Sequence, residues 1–226
     1  MRLSSSKLTA TILIATASAL FGQPQTPIRY AVIGDSYSSG EGASPEESWP
    51  ALLARHLRAS GLDIALVANP SRTGWTTRDA IDSELPAFIK AKPDFATLQI
   101  GVNDWVQGVD AATFQKNLVF LLDQMLAALP DKTRLLVVTI PDFSVTPAGA
   151  SFGGGRDIST GLAGFNAIIL NEAKKRGLKV VDVFEVSRHM RDDTGLIAED
   201  GLHPSAKEYA AWEKLIFPTA RKLLQE

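Results

Sequence analysis

The chain has 226 residues, 45% apolar and 21% charged, with a formal net charge of −2 and no cysteine. That balance suits one globular domain large enough to bury a core unaided. It excludes a disulfide framework, thiolate metal sites and a cysteine nucleophile, and near-neutral charge argues against nucleic acid as a partner. Any chemistry that needs an imidazole must draw on His56, His189 or His203.

Residues 1–22 read as a secretory signal peptide. Arg2 and Lys7 give a positive start, Leu8 to Leu20 is uncharged and largely apolar, and Ala17-Ser18-Ala19 offers small residues for cleavage between about Ala19 and Gln23. The expectation is an exported protein, periplasmic or extracellular, without a stable membrane anchor, whose residues 23–226 form a single domain.

From there strand and helix patterns alternate. Ile28 to Ile33 is a short apolar run that predicts a doubly buried strand. Ser44-Pro45-Glu46-Glu47 is a capping pattern ahead of a helix whose stripe is Trp49, Leu52, Leu53, His56 and Leu57, stopped by Gly61. Asp63 to Ala68 predicts a second strand and Thr76 to Asp79 opens a second helix. Phe95 to Ile100 predicts a third strand, and Asp110 caps a long helix with apolar residues from Phe114 to Leu129. Arg134 to Ile140 predicts the fourth strand, followed by a long loop containing Gly153-Gly154-Gly155. A helix to Arg176, a strand at Lys179 to Val183 and a helix from Ser205 complete the chain. The alternation implies a parallel five-stranded sheet between helical layers, a flavodoxin-like three-layer α/β/α sandwich.

Ligands of such sheets sit at the carboxyl ends of the strands. There the chain places Gly34-Asp35-Ser36, Ser71 to Gly74, Gly101-Val102-Asn103-Asp104 and, after the fifth strand, Asp200-Gly201-Leu202-His203. These types suit acyl transfer: Ser36 as nucleophile, His203 as the base on the same edge, and Asp200 three residues earlier to orient the ring. Backbone N–H groups of Ser36 and Gly74 and the Asn103 carboxamide are candidate oxyanion donors. Asp35 and Asp104 are read as loop-fixing residues, His56 as a partly buried structural residue and His189 as a surface one. Ser205 and Glu208 are read as a capping pair anchoring the base on the last helix.

Gly34-Asp35-Ser36, Gly74, Gly101-Val102-Asn103-Asp104 and Asp200-x-x-His203, in that order, resemble the four signature blocks of the SGNH (GDSL-type) hydrolases. The resemblance spans nearly the whole mature chain and implies the same fold, triad and oxyanion hole, with no cofactor or metal. Tyr37 departs from the leucine common at that position. Ser48-Trp49-Pro50 and the Asp200 to Ser205 stretch resemble most the bacterial branch with lysophospholipase, thioesterase and arylesterase activities.

The expected activity is hydrolysis of carboxylic esters or thioesters through an acyl-enzyme, on a small-molecule, lipid or glycan ester. Trp105, Val106, Phe143, Val145, Phe152, Ile197 and Leu202 are candidates to line an acyl pocket. The glycine-rich loop is a candidate lid, with Arg156 facing a polar headgroup. Two alternatives stand beside this: a polysaccharide acetylesterase, and a non-catalytic carbohydrate or cell-wall binding module on the same fold. A G-x-S-x-G elbow is ruled out by Ser38, and a phosphate-binding first turn by the lack of G-x-G-x-x-G.

Overall fold

The computed structural model describes residues 26–225, so the signal-peptide expectation lies outside the described residues. Each apolar run forms a strand: β1 Ile28–Gly34, β2 Ile64–Ala68, β3 Phe95–Gln99, β4 Leu135–Val138 and β5 Lys179–Val181. All pairings are parallel and the spatial order is β2-β1-β3-β4-β5, the flavodoxin-like arrangement. Tyr30 to Ile33 and Leu135 to Val138 are almost wholly buried, which is why these strands read as unbroken apolar runs.

The connecting helices are α1 Trp49–Ala59, α2 over 77–91, α3 Ala111–Ala128, α4 Ile158–Lys175 and α5 Ala206–Gln225. Helix α1 packs against α5, while α2 meets α3 and α3 meets α4, as right-handed crossovers on both sides of a parallel sheet require. Trp49, Leu53, Leu57, Trp212 and Ile216 fill the α1–α5 side, and Phe88, Phe114, Leu118, Leu121 and Leu162 the other. Burying each such side chain contributes about 1.5–3 kcal/mol.

The forecast caps are present at the starts of α1 and α2. Glu47 Oε2 accepts from both the N–H and the hydroxyl of Ser44 (3.2 and 2.8 Å), although Pro45–Glu47 is a separate 3₁₀ turn and α1 proper begins at Trp49. Thr76 and Asp79 cap each other reciprocally. Helix α2 then widens into a π-turn over Ala80–Glu84, just ahead of Pro86, which has no N–H to donate to a regular turn. Three short α-helical segments, Ser36–Ser39, Val102–Val106 and Phe184–Ser187, go beyond the predicted elements; each is too brief to show a helical period.

Candidate active site

The polar loops meet at the carboxyl edge of the sheet. Ser36 opens a four-residue helical turn directly after β1, and the Asp35 side chain accepts the Tyr37 N–H at 3.0 Å. Gly40 closes that turn at φ 86°, in the left-handed region glycine tolerates. Gln99, at the end of β3, supports the turn from below: its Oε1 accepts from Trp49 Nε1 at 2.9 Å and its Nε2 donates to the Thr139 carbonyl at 3.1 Å.

His203 follows a tight turn in which Asp200 Oδ1 accepts the N–H groups of Leu202 and His203 (2.8 and 2.9 Å), leaving Oδ2 2.6 Å from His203 Nδ1. With a carboxylate as acceptor, Nδ1 carries the hydrogen and Nε2 is the bare acceptor, the tautomer a general base needs. Burial pushes the Asp200 carboxyl upward, but the hydrogen bonds from the His203 ring and the two backbone N–H groups outweigh it, so the group stays below the usual aspartate range. The Tyr37 ring meets the imidazole edge-on, with centroids 5.9 Å apart.

The expected capping pair behind the base is not made. Ser205 Oγ donates instead to the Gly195 carbonyl (2.8 Å), and Glu208 is buried, accepting from Trp212 Nε1 (2.6 Å). His203 is anchored by a different device: Ala198 N–H donates to its carbonyl, and Ser205 N–H to that of Leu196 (both 2.8 Å). Gly195, on the preceding loop, and Trp212, one turn further along α5, thus took the hydrogen bonds that the local pattern assigned to the helix start.

Asn103 lies in the Val102–Val106 turn, whose Gly101 sits at φ 124° against Phe114; a Cβ there would lie 2.6 Å from that ring. The Asn103 carboxamide donates one hydrogen to the Trp75 carbonyl at 2.9 Å, and Gln107 Nε2 donates to the Gly74 carbonyl at 3.0 Å. The two candidate oxyanion loops are therefore tied to each other. Gly74 adopts φ 82° with open space where a side chain would stand. Asp104 is wholly buried and accepts from the Thr77 N–H and hydroxyl, fixing the loop as expected.

One cleft of about 330 Å³, mouth included, is lined by Ser36, Tyr37, Val102, Asn103, Val106, Phe143, Phe152, Leu202 and His203. Ser36 and His203, 167 positions apart by their numbering, thus face one space. Val106, Phe143, Phe152 and Leu202 stand where the sequence reading put them. Tyr37 and Val102 join them unforeseen; Tyr37 was noticed only as a departure from leucine.

Trp105 is not in that lining. It is buried edge-on against Phe143 (6.4 Å between centroids) and beneath the Arg156 guanidinium, 4.1 Å from its ring centre. Arg156 donates to the carbonyls of Trp105 and Val106 (2.7 and 2.9 Å), so it straps the glycine-rich loop to the Asn103 turn rather than facing a headgroup. Val145 is also outside the lining, and Ile197 borders a separate groove with Glu41, Glu199 and Asp200. His189 is exposed; His56 is exposed too rather than partly buried, with Nδ1 2.9 Å from the buried Glu213. Among the described residues no group of three or more His, Asp or Glu side chains is placed to hold a metal ion, and no helix is long and apolar enough to cross a membrane.

Comparison with known proteins bears on the fold and the family. Esterase TesA of Pseudomonas aeruginosa is 27% identical over 194 residues, covering 85% of this chain and 88% of its own. Among solved structures, TesA superposes with a TM-score of 0.70 at 23% identity, over 86% of this chain and 99% of its own. The family 3 carbohydrate esterase of Clostridium thermocellum gives a TM-score of 0.70 at 22% identity, over 88% and 98% of the two chains. The psychrotrophic esterase EstA from Pseudoalteromonas gives 0.67 at 20%, over 88% and 100%. The model of the GDSL-like lipase/acylhydrolase family matches residues 32–211; the chain belongs to that family and is a carboxylic ester hydrolase.

Proposed function

We propose that the chain is an exported serine esterase acting on esters with an apolar acyl group, with Ser36 as nucleophile, His203 as base and Asp200 orienting the base. The observation that carries this reading is the Asp200–His203 pair, 2.6 Å apart, on a ring that shares one apolar cleft with Ser36. Ser36 Oγ attacks the carbonyl carbon while His203 Nε2 takes its proton. The oxyanion is held by the N–H groups of Ser36 and Gly74 and the second amide hydrogen of Asn103. Collapse expels the alcohol or thiol, which receives the proton from His203. Water, deprotonated by the same nitrogen, then releases the acid and restores the serine.

The apolar wall supports acyl groups of lysophospholipid or aryl-ester type. A polysaccharide acetylesterase remains the second reading, favoured by a small cleft walled by the rings of Tyr37, Phe143 and Phe152. The family 3 carbohydrate esterase is a fold neighbour in keeping with that.

A panel of p-nitrophenyl esters from acetate to decanoate, run beside acetylated xylan, separates the two. Turnover rising beyond acetate supports the first; activity confined to acetate supports the second. Ser36→Ala is expected to lower kcat at least roughly 10³-fold with folding intact, and to abolish labelling by a fluorophosphonate. Retained turnover in that variant overturns the mechanism.

A further inference from the structure

The pairing of β1 with β2 ends at Ala31 and Ala68, yet β1 runs on to Gly34, still paired on its other side with Gln99 of β3. Over its last residues β1 therefore has no strand on its β2 side, and side chains take over. Asn69 Nδ2 donates to the Ser38 carbonyl at 2.8 Å. Glu84, at the end of the π-turn of α2 and wholly buried, accepts the Gly34 N–H on Oε2 at 2.9 Å. Its other oxygen, Oε1, and the hydroxyl of Ser71 are both buried and make no hydrogen bond; Ser71 stands beside the Glu84 carboxyl.

We propose that Glu84 is a positioning residue for the esterase reaction, bridging the loop that presents Ser36 to the loop that presents Gly74. Gly34 lies two residues before Ser36, and Ser71 three before Gly74. One carboxyl group bonded to Gly34 and set beside Ser71, whose hydroxyl faces no other partner, would fix the separation of the two backbone N–H groups that would hold the oxyanion. A purely structural role would be served at lower cost by an apolar side chain of similar size, because a carboxyl removed from water without full hydrogen bonding destabilises the fold. The carboxyl sits where the two strands part, and that gap is also where the oxyanion donors must be spaced. A donor displaced by even a fraction of an ångström loses much of its effect on the transition state while substrate binding is hardly touched.

This inference rests on the esterase reading, and its test keeps the two apart. Wild type, Ser36→Ala, Glu84→Met, Glu84→Gln and Ser71→Ala are compared by kcat and KM on p-nitrophenyl acetate, by fluorophosphonate labelling rate and by thermal unfolding. Glu84→Met is expected to stay folded and to lose roughly 10–100-fold in kcat and labelling rate at unchanged KM. Glu84→Gln can accept from Gly34 and donate to Ser71, and is expected to recover most of that loss. Ser71→Ala, which removes one end of the bridge without a volume problem, is expected to lower kcat several-fold, and decides the matter should Glu84→Met not fold. Wild-type kcat in folded Glu84→Met or in Ser71→Ala overturns the inference, as does a glutamine variant no better than methionine. A wild type that takes no label overturns the esterase reading, and this inference with it.

Discussion

Replacing Asp200 by asparagine should harm the enzyme more than replacing it by alanine. Asp200 uses its two oxygens differently: Oδ1 accepts two backbone N–H groups at 2.8 and 2.9 Å, while Oδ2 faces the imidazole at 2.6 Å. An amide has one oxygen, and only that oxygen can satisfy the two backbone donors. Its NH₂ must then point at His203 Nδ1, which becomes the acceptor, and the ring hydrogen moves to Nε2. The turn is kept and the base is lost. In serine-protease triads this tautomer trap costs about 10⁴ in kcat. Alanine leaves the ring free to choose its tautomer with water. It forfeits a charge-assisted hydrogen bond of about 1.5–3 kcal/mol. The low end applies because the Asp200 side chain is 42% exposed against 11% for His203, so water screens the pair. That is a loss of roughly tenfold, rising to about a hundredfold if the loosened turn misplaces the ring. The assay is steady-state hydrolysis of p-nitrophenyl acetate, with circular dichroism to establish folding. An asparagine variant as active as the alanine variant, or either within twofold of wild type, refutes the orientation argument.

Asn103→Ala removes a proposed oxyanion donor and is expected to lower kcat roughly 10²–10³-fold with little change in KM, measured on the same substrate. Phe152, 39% exposed at the edge of the cleft, narrows it; Phe152→Ala is expected to raise kcat/KM for octanoate relative to acetate, read from the ester panel. Burial raises Glu84 to about 8, the neighbouring charges of Asp35 and Asp79 adding to it against the hydrogen bond from Gly34 and the adjacent Ser71 hydroxyl. The folded state therefore holds a proton that the unfolded state releases near pH 4.5. Its stabilising contribution is complete below that pH and is lost as pH rises towards 8, at up to about 1.4 kcal/mol per pH unit. Chemical denaturation at pH 5 and pH 8 should show a smaller drop for Glu84→Gln than for wild type; equal drops would show that the carboxyl does not titrate in this window. Asp35, raised to about 8 mainly by burial, contributes a slope of the same sign that remains in the variant.

The sheet was legible because its central strands β1, β3 and β4 are buried on both faces and so appear as apolar runs bounded by glycine and capping residues. The meeting of the proposed nucleophile and base was legible for a related reason: a parallel sheet delivers whatever follows each strand to one edge, so chain order alone brings Ser36, Asn103 and His203 to one cleft. What escaped was set by partners distant in sequence. Nothing near Ser205 signals that its hydroxyl would turn back to Gly195. Arg156 was placed beside a ligand because a lone cation by a glycine-rich loop suggests one, but two carbonyls of the Asn103 turn already occupied it.

The cleft was harder still, because its width is a property of rings rather than of positions. Trp105 and Phe143 were equal candidates by sequence, being apolar residues on neighbouring loops. The structure separates them because Gly161 leaves no Cβ where the Trp105 indole lies: a Cβ there would stand 1.9 Å from Nε1. That glycine lets the larger ring sink towards α4 while Phe143 lines the cleft. On the opposite side Tyr37 wedges between His203 and Trp212, with centroids 5.9 and 5.7 Å away. A leucine there would leave room beside the imidazole. The width of the cleft is therefore governed jointly by one ring that withdrew and one that stayed, a pairing that becomes visible only once both loops are folded against the sheet.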